Sequence, residues 1–461
     1  MHFASEDTIA APATVPGAGA ISIIRVSGSG TFALADRVIS FKSGRCTEFE
    51  GYSIHYGAIY LPDGELLDNV LVSVFRAPHS YTGEDSVEIS CHASSYIVSF
   101  LMMLLLDAGA RAAEPGEFTR RAYLNGKMDL AQAESVADII AAEDAASHRI
   151  AVRQMRGGFS QELKDLADNL LEMTALMELE LDFSEEDVEF ADRGKLNDLL
   201  DRVLSHIDSL LSSFRLGNAI KNGIPVTIAG AANTGKSTLL NALLGEDRAI
   251  VSDIAGTTRD TVEETVTIGD CRFRFIDTAG IRSTGETIEQ LGIERSLRKI
   301  EDASIVLGVV DLSDSEDVIA SQIESLRSRI DFSRQQFVLL QNKADLGDKQ
   351  IAYDGPHFRI SARTGLGLPA LRDWLASYEK DRIAGAGSET LLTNLRHFQA
   401  LNEARTALLR VRDGLATSLP TDLVSQDLRE AIRSLQSILG TSTPDVESTL
   451  GLIFSRFCIG K

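Results

Sequence analysis

The chain has 461 residues, an apolar fraction of 44%, a charged fraction of 24% and a formal charge of −22. That length exceeds one ordinary core and implies roughly two to four domains, and that acidity excludes a protein that holds nucleic acid by general phosphate neutralisation, so any RNA must rest on a local patch or on another protein. No apolar run reaches the roughly eighteen residues that span a bilayer, no basic-then-apolar leader opens the chain, and Cys46, Cys91, Cys271 and Cys458 show no CxxC spacing, so a reduced, cytoplasmic protein away from membranes is expected.

Residues 1–125 read as a mixed α+β domain. Residues 20–26 form an apolar strand after the Pro16–Gly19 loop. Residues 52–60 and 70–75 pair as a hairpin or meander around Pro62-Asp63-Gly64, residues 87–90 make a short strand, and residues 95–106 an apolar helix. Residues 126–218 turn to long helices, with Leu163, Leu166, Leu170, Met173 and Met177 on one face, as in a bundle. The acidic run Glu178, Glu180, Asp182, Glu185, Glu186, Asp187, Glu189 has no ligand spacing and reads as a solvated helix end and loop.

Residues 219–382 alternate strands and helices, the pattern of a parallel-sheet nucleotide domain, with apolar strands at 273–276, 304–310 and 337–340. After the small-residue linker 383–387, the segment 383–461 is again helical. The economical arrangement is multidomain α/β: an N-terminal α+β domain, then an all-α domain split by an inserted Ras-like P-loop domain.

The insert carries the chemistry. An apolar strand, 224–229, leads into Gly230-Ala231-Ala232-Asn233-Thr234-Gly235-Lys236-Ser237 and a helix-forming run beginning at Thr238, the context that identifies a P-loop. Its amides and the positive helix end surround phosphate, Lys236 reaches the outer phosphates and the Ser237 hydroxyl can ligate Mg²⁺. Asp277-Thr278-Ala279-Gly280 supplies an Asp for Mg²⁺ through water and a Gly amide for the γ-phosphate. Asn342-Lys343-Ala344-Asp345 places Asp345 to accept from the guanine N1–H and N2 amine, and Ser361-Ala362-Arg363 backs the base. Four motifs in order, each after a strand, specify GTP.

Two details depart from a Ras-like switch. Ile281, not Gln, follows DTAG, so another group must orient water. Glu289 is a candidate, although by itself it reads more readily as an exposed helix-start carboxylate. Asn233 presents an amide oxygen where an arginine finger would sit and could ligate a monovalent cation that supplies the missing charge. Thr257 and Thr258 lie in Gly256-Thr257-Thr258-Arg259-Asp260, where a Thr completes the Mg²⁺ shell and Arg259 reads as a surface arginine.

Together with Asp7-Thr8-Ile9-Ala10-Ala11, Ser80-Tyr81-Thr82-Gly83-Glu84-Asp85, Pro115-Gly116-Glu117-Phe118-Thr119, residues 127–134 (KMDLAQAE) and the ending Phe457-Cys458-Ile459-Gly460-Lys461, these features resemble the MnmE (TrmE) family of tRNA-modification GTPases over essentially the whole chain. The resemblance implies an enzyme, a GTP hydrolase, that acts with an FAD-dependent partner, MnmG (GidA), in adding an aminomethyl or carboxymethylaminomethyl group to carbon 5 of the wobble uridine of certain tRNAs, with tRNA held mostly by the partner. It also implies a homodimer formed by the N-terminal domain and a 5-formyltetrahydrofolate-type one-carbon folate bound there. By position, Arg25, Glu88, Lys127 and Lys461 are the folate contacts. Asn233, Ser252, Ile254 and Thr257 are the K⁺ ligands, Ser237 and Thr258 hold Mg²⁺, and Glu289 activates water. Cys458 is either a nucleophile or part of a tail that completes the pocket. Ala232 stands where many members have Pro, and the loop 16–20 lacks their basic residue. Two alternatives remain: a GTP-controlled scaffold without modification chemistry of its own, and a ribosome-assembly GTPase of the Era or Der kind.

Overall fold

The computed structural model describes residues 7–182, 193–245, 264–276, 303–385, 390–417, 419–441, 450, 451, 453–455, 457 and 460. In chain order the first elements are β1 (Ile9–Pro12), β2 (Ile21–Ser27), α1 (Thr31–Val38), β3 (Ile39–Phe41), β4 (Ser53–Tyr60), β5 (Leu66–Phe75), β6 (Ser86–His92), α2 (Ser95–Asp107), β7 (Arg111–Ala112) and α3 (Glu117–Leu124). Four helices follow: α4 (Leu130–Ala141), α5 (Ala145–Met155), α6 (Gly158–Asp182) and α7 (Arg193–Asn222). Then come β8 (Ile224–Ala229), α8 (Lys236–Gly245), β9 (Glu264–Ile268), β10 (Cys271–Phe275), β11 (Ile305–Asp311), α9 (Glu316–Arg327), β12 (Gln336–Asn342), β13 (His357–Arg359), α10 (Leu368–Gly385), α11 (Leu395–Ala416) and α12 (Thr421–Leu439).

These group into two units, one drawn from residues 1–140, 153–196 and 406–461, the other from 141–152 and 197–405. The second is nested in the sequence of the first.

In the first unit, seven strands form one sheet in the order β3-β4-β5-β6-β2-β1-β7. The pairings are antiparallel except β1 with β7. Alternation decides its faces. Val70, Val72 and Val74 of β5 and Val87 and Ile89 of β6 point inward against Phe32 and Leu34 of α1 and Leu101 and Leu105 of α2. Arg25, Glu88, Ser73 and Ile54 lie in one cross-strand row on the other face, where Ile54, Tyr56 and Leu71 stay exposed. The hairpin, the strand at 87–90 and the helix at 95–106 occur as the sequence predicts. β1, α1, β3 and β7 are too short for periodicity to reveal.

The helical part of this unit is built on α6 and α12. Leu163, Leu166, Leu170, Met173 and Met177 are all buried, as are Leu428, Ala431, Leu435 and Ile438 on α12. Glu185, Glu186, Asp187 and Glu189 of the acidic run lie outside the described residues.

In the second unit, six strands run β13-β12-β11-β8-β10-β9, parallel except for the β9–β10 hairpin. The stretch 305–310 is buried at every position, as expected for a strand covered on both faces. α10 continues through Gly385 and so takes in Ile383, Ala384 and Gly385 of the segment read as a linker. No helix among the described residues is long and apolar enough to cross a membrane.

Candidate functional site

The nucleotide site forms where the strand order reverses. β8 is paired with β11 on one side and β10 on the other, so the loop leaving its C-terminal end opens into the crevice that such sheets offer a ligand. One side chain ties this loop to the segment that follows β13. Asn342, almost fully buried at the end of β12, donates its amide to the Thr234 carbonyl at 2.7 Å and accepts from the Ala362 amide at 2.9 Å. Gly235 passes directly over it with φ +96°, and a Cβ there would collide with the Asn342 amide nitrogen. Thr234 is buried as well and closes the loop with a 3.0 Å bond to the Ala231 carbonyl.

Lys236 begins α8, so its ammonium stands beside the positive helix end. It donates to the carbonyls of Gly230 (3.0 Å) and Ala231 (2.6 Å), and burial holds its pKa below the usual lysine range. Ser237 and Thr238 follow in the first turn. Asn233 is exposed at the loop's apex with φ 60°. That left-handed conformation itself favours Asn over most residues, so two reasons for an asparagine coincide at this position.

Lys343 sits at φ 64° and pairs with Asp311 at the end of β11. Burial works to raise the Asp311 pKa, but the bonds from Lys343 and Ser313 outweigh it and hold the carboxyl below the usual range. Asp345 is exposed in the turn Ala344–Leu346, Ser361 and Ala362 are buried against Asn342, and Arg363 is exposed. The P-loop, NKxD and SAR segments are therefore one assembly. Ser252, Ile254, Thr257, Thr258, Asp277, Gly280 and Glu289 lie outside the described residues. Asp311 and the structural role of Asn342 escaped the sequence reading. An Asp closing a buried strand was the available signal for Asp311.

The N-terminal site is assembled differently. Arg25 donates to Glu88 at 2.8 and 3.0 Å and to the Gly460 carbonyl at 3.4 Å, and its guanidinium lies 5.2 Å from the Tyr81 ring centre and 5.6 Å from that of Phe118. Arg25 and Glu88, both named by the resemblance as folate contacts, are paired with each other in the structure. Lys127 donates to the Pro78 carbonyl at 2.9 Å, beside the loop that carries Tyr81. Lys461 and Cys458 lie outside the described residues. The tail around them nonetheless has a seat: Phe454 and Phe457 pack with Leu130 and Ala133, and Gly116, at φ +68°, would meet the Phe454 carbonyl if it carried a Cβ.

Beneath this site lies an ion network that sequence reasoning missed. Arg121, 4% exposed, bonds Asp7 at 2.7 Å, Glu84 at 3.2 Å and Glu117 at 3.0 Å. Glu117, 1% exposed, also receives Arg111 at 2.5 Å. Burial pushes the Glu117 carboxyl up, but Arg111, the Glu114 amide and Arg121 together hold it below the usual range. Asp7, Glu84 and Glu117 each belong to a different short motif quoted above, so one buried arginine gathers three motifs scattered over about a hundred residues. Cys46 and Cys91 are buried thiols pushed up, chiefly by burial, to about 12 and about 11, and Cys271 is buried too. None is poised as a thiolate nucleophile.

The chain matches the family description "GTP-binding protein TrmE N-terminus" over residues 8–127 and "MnmE helical domain" over residues 130–458. It is 49% identical to the tRNA modification GTPase MnmE of Bacteroides thetaiotaomicron, covering 99% of this chain and 100% of that one. It is 48% identical to the protein of that name from Porphyromonas gingivalis (100% and 99% covered) and 45% identical to that of Flavobacterium johnsoniae (99% and 100% covered). A ribosome-assembly GTPase does not account for the matched N-terminal and helical regions. With its guanine-nucleotide motifs locked together by Asn342 and its N-terminal motifs gathered by Arg121, the chain belongs to the MnmE (TrmE) family of tRNA-modification GTPases.

Proposed function

We propose that this protein is a cytoplasmic, homodimeric, K⁺-stimulated GTPase. With an FAD-dependent MnmG-type partner it drives addition of an aminomethyl or carboxymethylaminomethyl group to carbon 5 of the wobble uridine of certain tRNAs, using a one-carbon folate. The observation that carries the cation reading is Asn233: an exposed amide at the apex of a P-loop in which Thr234 and Lys236 bond to the loop's own carbonyls. In this reading Lys236 exchanges the Gly230 and Ala231 carbonyls for phosphate oxygens, whose negative charge would offset the desolvation that holds its pKa down. Ser237 and Thr258 hold Mg²⁺, and Asn233 with Ser252, Ile254 and Thr257 holds K⁺. Bound there, the cations neutralise charge that develops between the phosphates. Glu289 orients water, and Asp345, exposed at the rim, accepts from guanine.

On the N-terminal unit, the exposed row through Ile54, Tyr56 and Leu71 supports a second copy of the chain as its cover. Arg25, Glu88, Lys127 and Lys461 would receive the folate. Both Arg25 bonds fall on Oε1 of Glu88, so the second carboxylate oxygen can accept from a pterin N–H edge while the guanidinium stays in place. Domain limits of 1–125, 126–218, 219–382 and 383–461 accompany this reading, with Cys458 either a nucleophile or part of the pocket's tail.

The deciding experiment measures wobble-uridine modification in tRNA from cells lacking this protein, with and without the restored gene. Unchanged modification on deletion would refute the function. Titration of 5-formyltetrahydrofolate into the purified chain, with Arg25→Ala alongside, tests the folate assignment, which fails if the variant binds as the parent does.

A further inference from the structure

We infer that the turn between α9 and β12 is a surface on which this chain contacts tRNA directly. The inference rests on the tRNA-modification reading, and it concerns a part of the molecule with no role in the nucleotide site.

The chain as a whole repels polyanions, with a formal charge of −22. Residues 327–334 run against that background, with Arg327, Arg329 and Arg334 against the single acid Asp331. All three arginines are exposed, Arg334 at 74% for its side chain. Arg215, also exposed, comes from a different element, and its charge acts on the same Asp331. That carboxylate is already engaged: it accepts from the Ser333 amide at 3.0 Å and lies 3.6 Å from the Arg334 guanidinium. Asp354, whose charge acts on Tyr353, and Glu324, a turn before Arg327, are further acids of this region.

Between Arg329 and Arg334 in the sequence stands Phe332, 55% exposed. A phenylalanine at the tip of a polar turn contributes little to folding when half of it faces water. Its ring carries the Arg327 guanidinium at 5.4 Å, and the same guanidinium lies 5.5 Å from Tyr353. Cations for the backbone around a flat aromatic and a stacked guanidinium are what unpaired nucleotides require, since phosphates supply affinity and any base can stack on either plane. A lipid surface would favour more aliphatic residues, and an acidic protein would have no need of the stacked planes.

The position fits a substrate that must bind together with GTP. The turn enters β12 at its N-terminal end, whereas Asn342, Lys343 and the P-loop occupy the C-terminal ends of the strands. RNA on this surface leaves the nucleotide crevice open.

The test is fluorescence anisotropy of the full chain with an unmodified tRNA transcript, at roughly 50 and 200 mM salt. The double variant R329S/R334S is expected to weaken binding at least tenfold at low salt and to reduce the slope of log affinity against log salt by about two, near one unit per arginine. R329K/R334K should retain the slope, because it keeps the charge. Phe332→Ala should weaken binding about tenfold with the slope unchanged, the signature of a lost stacking plane. GTP turnover should match the parent in all three, which also confirms that they are folded. Parent-like affinity and slope in R329S/R334S overturn the proposal, as does a wild-type chain that shows no saturable tRNA binding. Neither result touches the functional reading, which the modification assay in deletion cells decides separately.

Discussion

The two candidate sites solve the problem of holding a charged ligand in opposite ways. The nucleotide site is made of backbone: amides of one short loop, a helix end, and a buried neutral side chain, Asn342, that ties three loops together. The N-terminal site is made of side chains drawn from distant parts of the chain, with Arg25 reaching Gly460 across 435 positions and Arg121 reaching Asp7 across 114. A backbone site needs small residues and tight turns, so its sequence is short and contiguous. A side-chain site needs buried charges neutralised by other buried charges, and any one of them left alone is costly. The first should fail through geometry and the second through electrostatics.

The largest expected effect sharpens the electrostatic half. Arg121→Ala leaves Glu117, Asp7 and Glu84 without their shared cation, and removing one partner of such a buried set costs about 3–5 kcal/mol. Denaturant unfolding followed by circular dichroism should show the first unit losing that stability. The pH dependence has a definite sign. The Glu117 carboxyl is depressed in the folded protein, so its contribution is fully present above the ordinary carboxylate value of about 4.3 and disappears as pH falls through the lower folded value. Arg111→Ala should therefore move the acid unfolding midpoint to higher pH. An unmoved midpoint would show that the network is not what acid breaks.

On the geometric side, Gly235→Ala places a methyl group against the Asn342 amide at a backbone angle disfavoured for alanine. GTP affinity should fall by about 10²-fold or more while the N-terminal unit's unfolding stays unchanged. Loss of stability in both units would erase the contrast between the sites. Asp345→Asn removes the acceptor for two guanine donors, and at about 1.5–3 kcal/mol for a bond to a charged group GTP affinity should drop roughly 10²-fold. The same variant should gain affinity for xanthosine triphosphate, which offers a carbonyl in place of the amine.

A smaller effect separates the two reasons for Asn233. Asn233→Gly preserves the positive φ and removes only the amide. If the amide ligates K⁺, the ratio of GTP turnover in K⁺ to that in Na⁺ at equal ionic strength should collapse towards one, a loss of about tenfold on the scale of a partial arginine-finger substitute. A ratio that survives in the glycine variant assigns Asn233 to conformation alone. The smallest effect is that of Gly116→Ala, where a left-handed alanine beside the Phe454 carbonyl should cost roughly 1–2 kcal/mol. It should increase proteolytic cleavage of the C-terminal tail without altering GTP turnover.

The sequence by itself determined the nucleotide specificity, the nested order of domains and the family, because each of these is written in contiguous residues. The P-loop, DTAG, NKxD and SAR motifs are local chemistry attached to strand ends, and the heptad-like face of α6 is local periodicity. The tertiary structure alone decided which charges meet. Nothing in the spacing of Asp7, Glu84, Glu117 and Arg121 says that they share one buried centre. Nothing near Arg25 says that its partners are Glu88 and the penultimate residue of the chain. Periodicity reports what one element buries, whereas the pairing of charges depends on how sheets and helices from separate stretches come together. Burial then makes each such pairing obligatory, since an arginine or carboxylate removed from water persists there only with its counter-charge in reach.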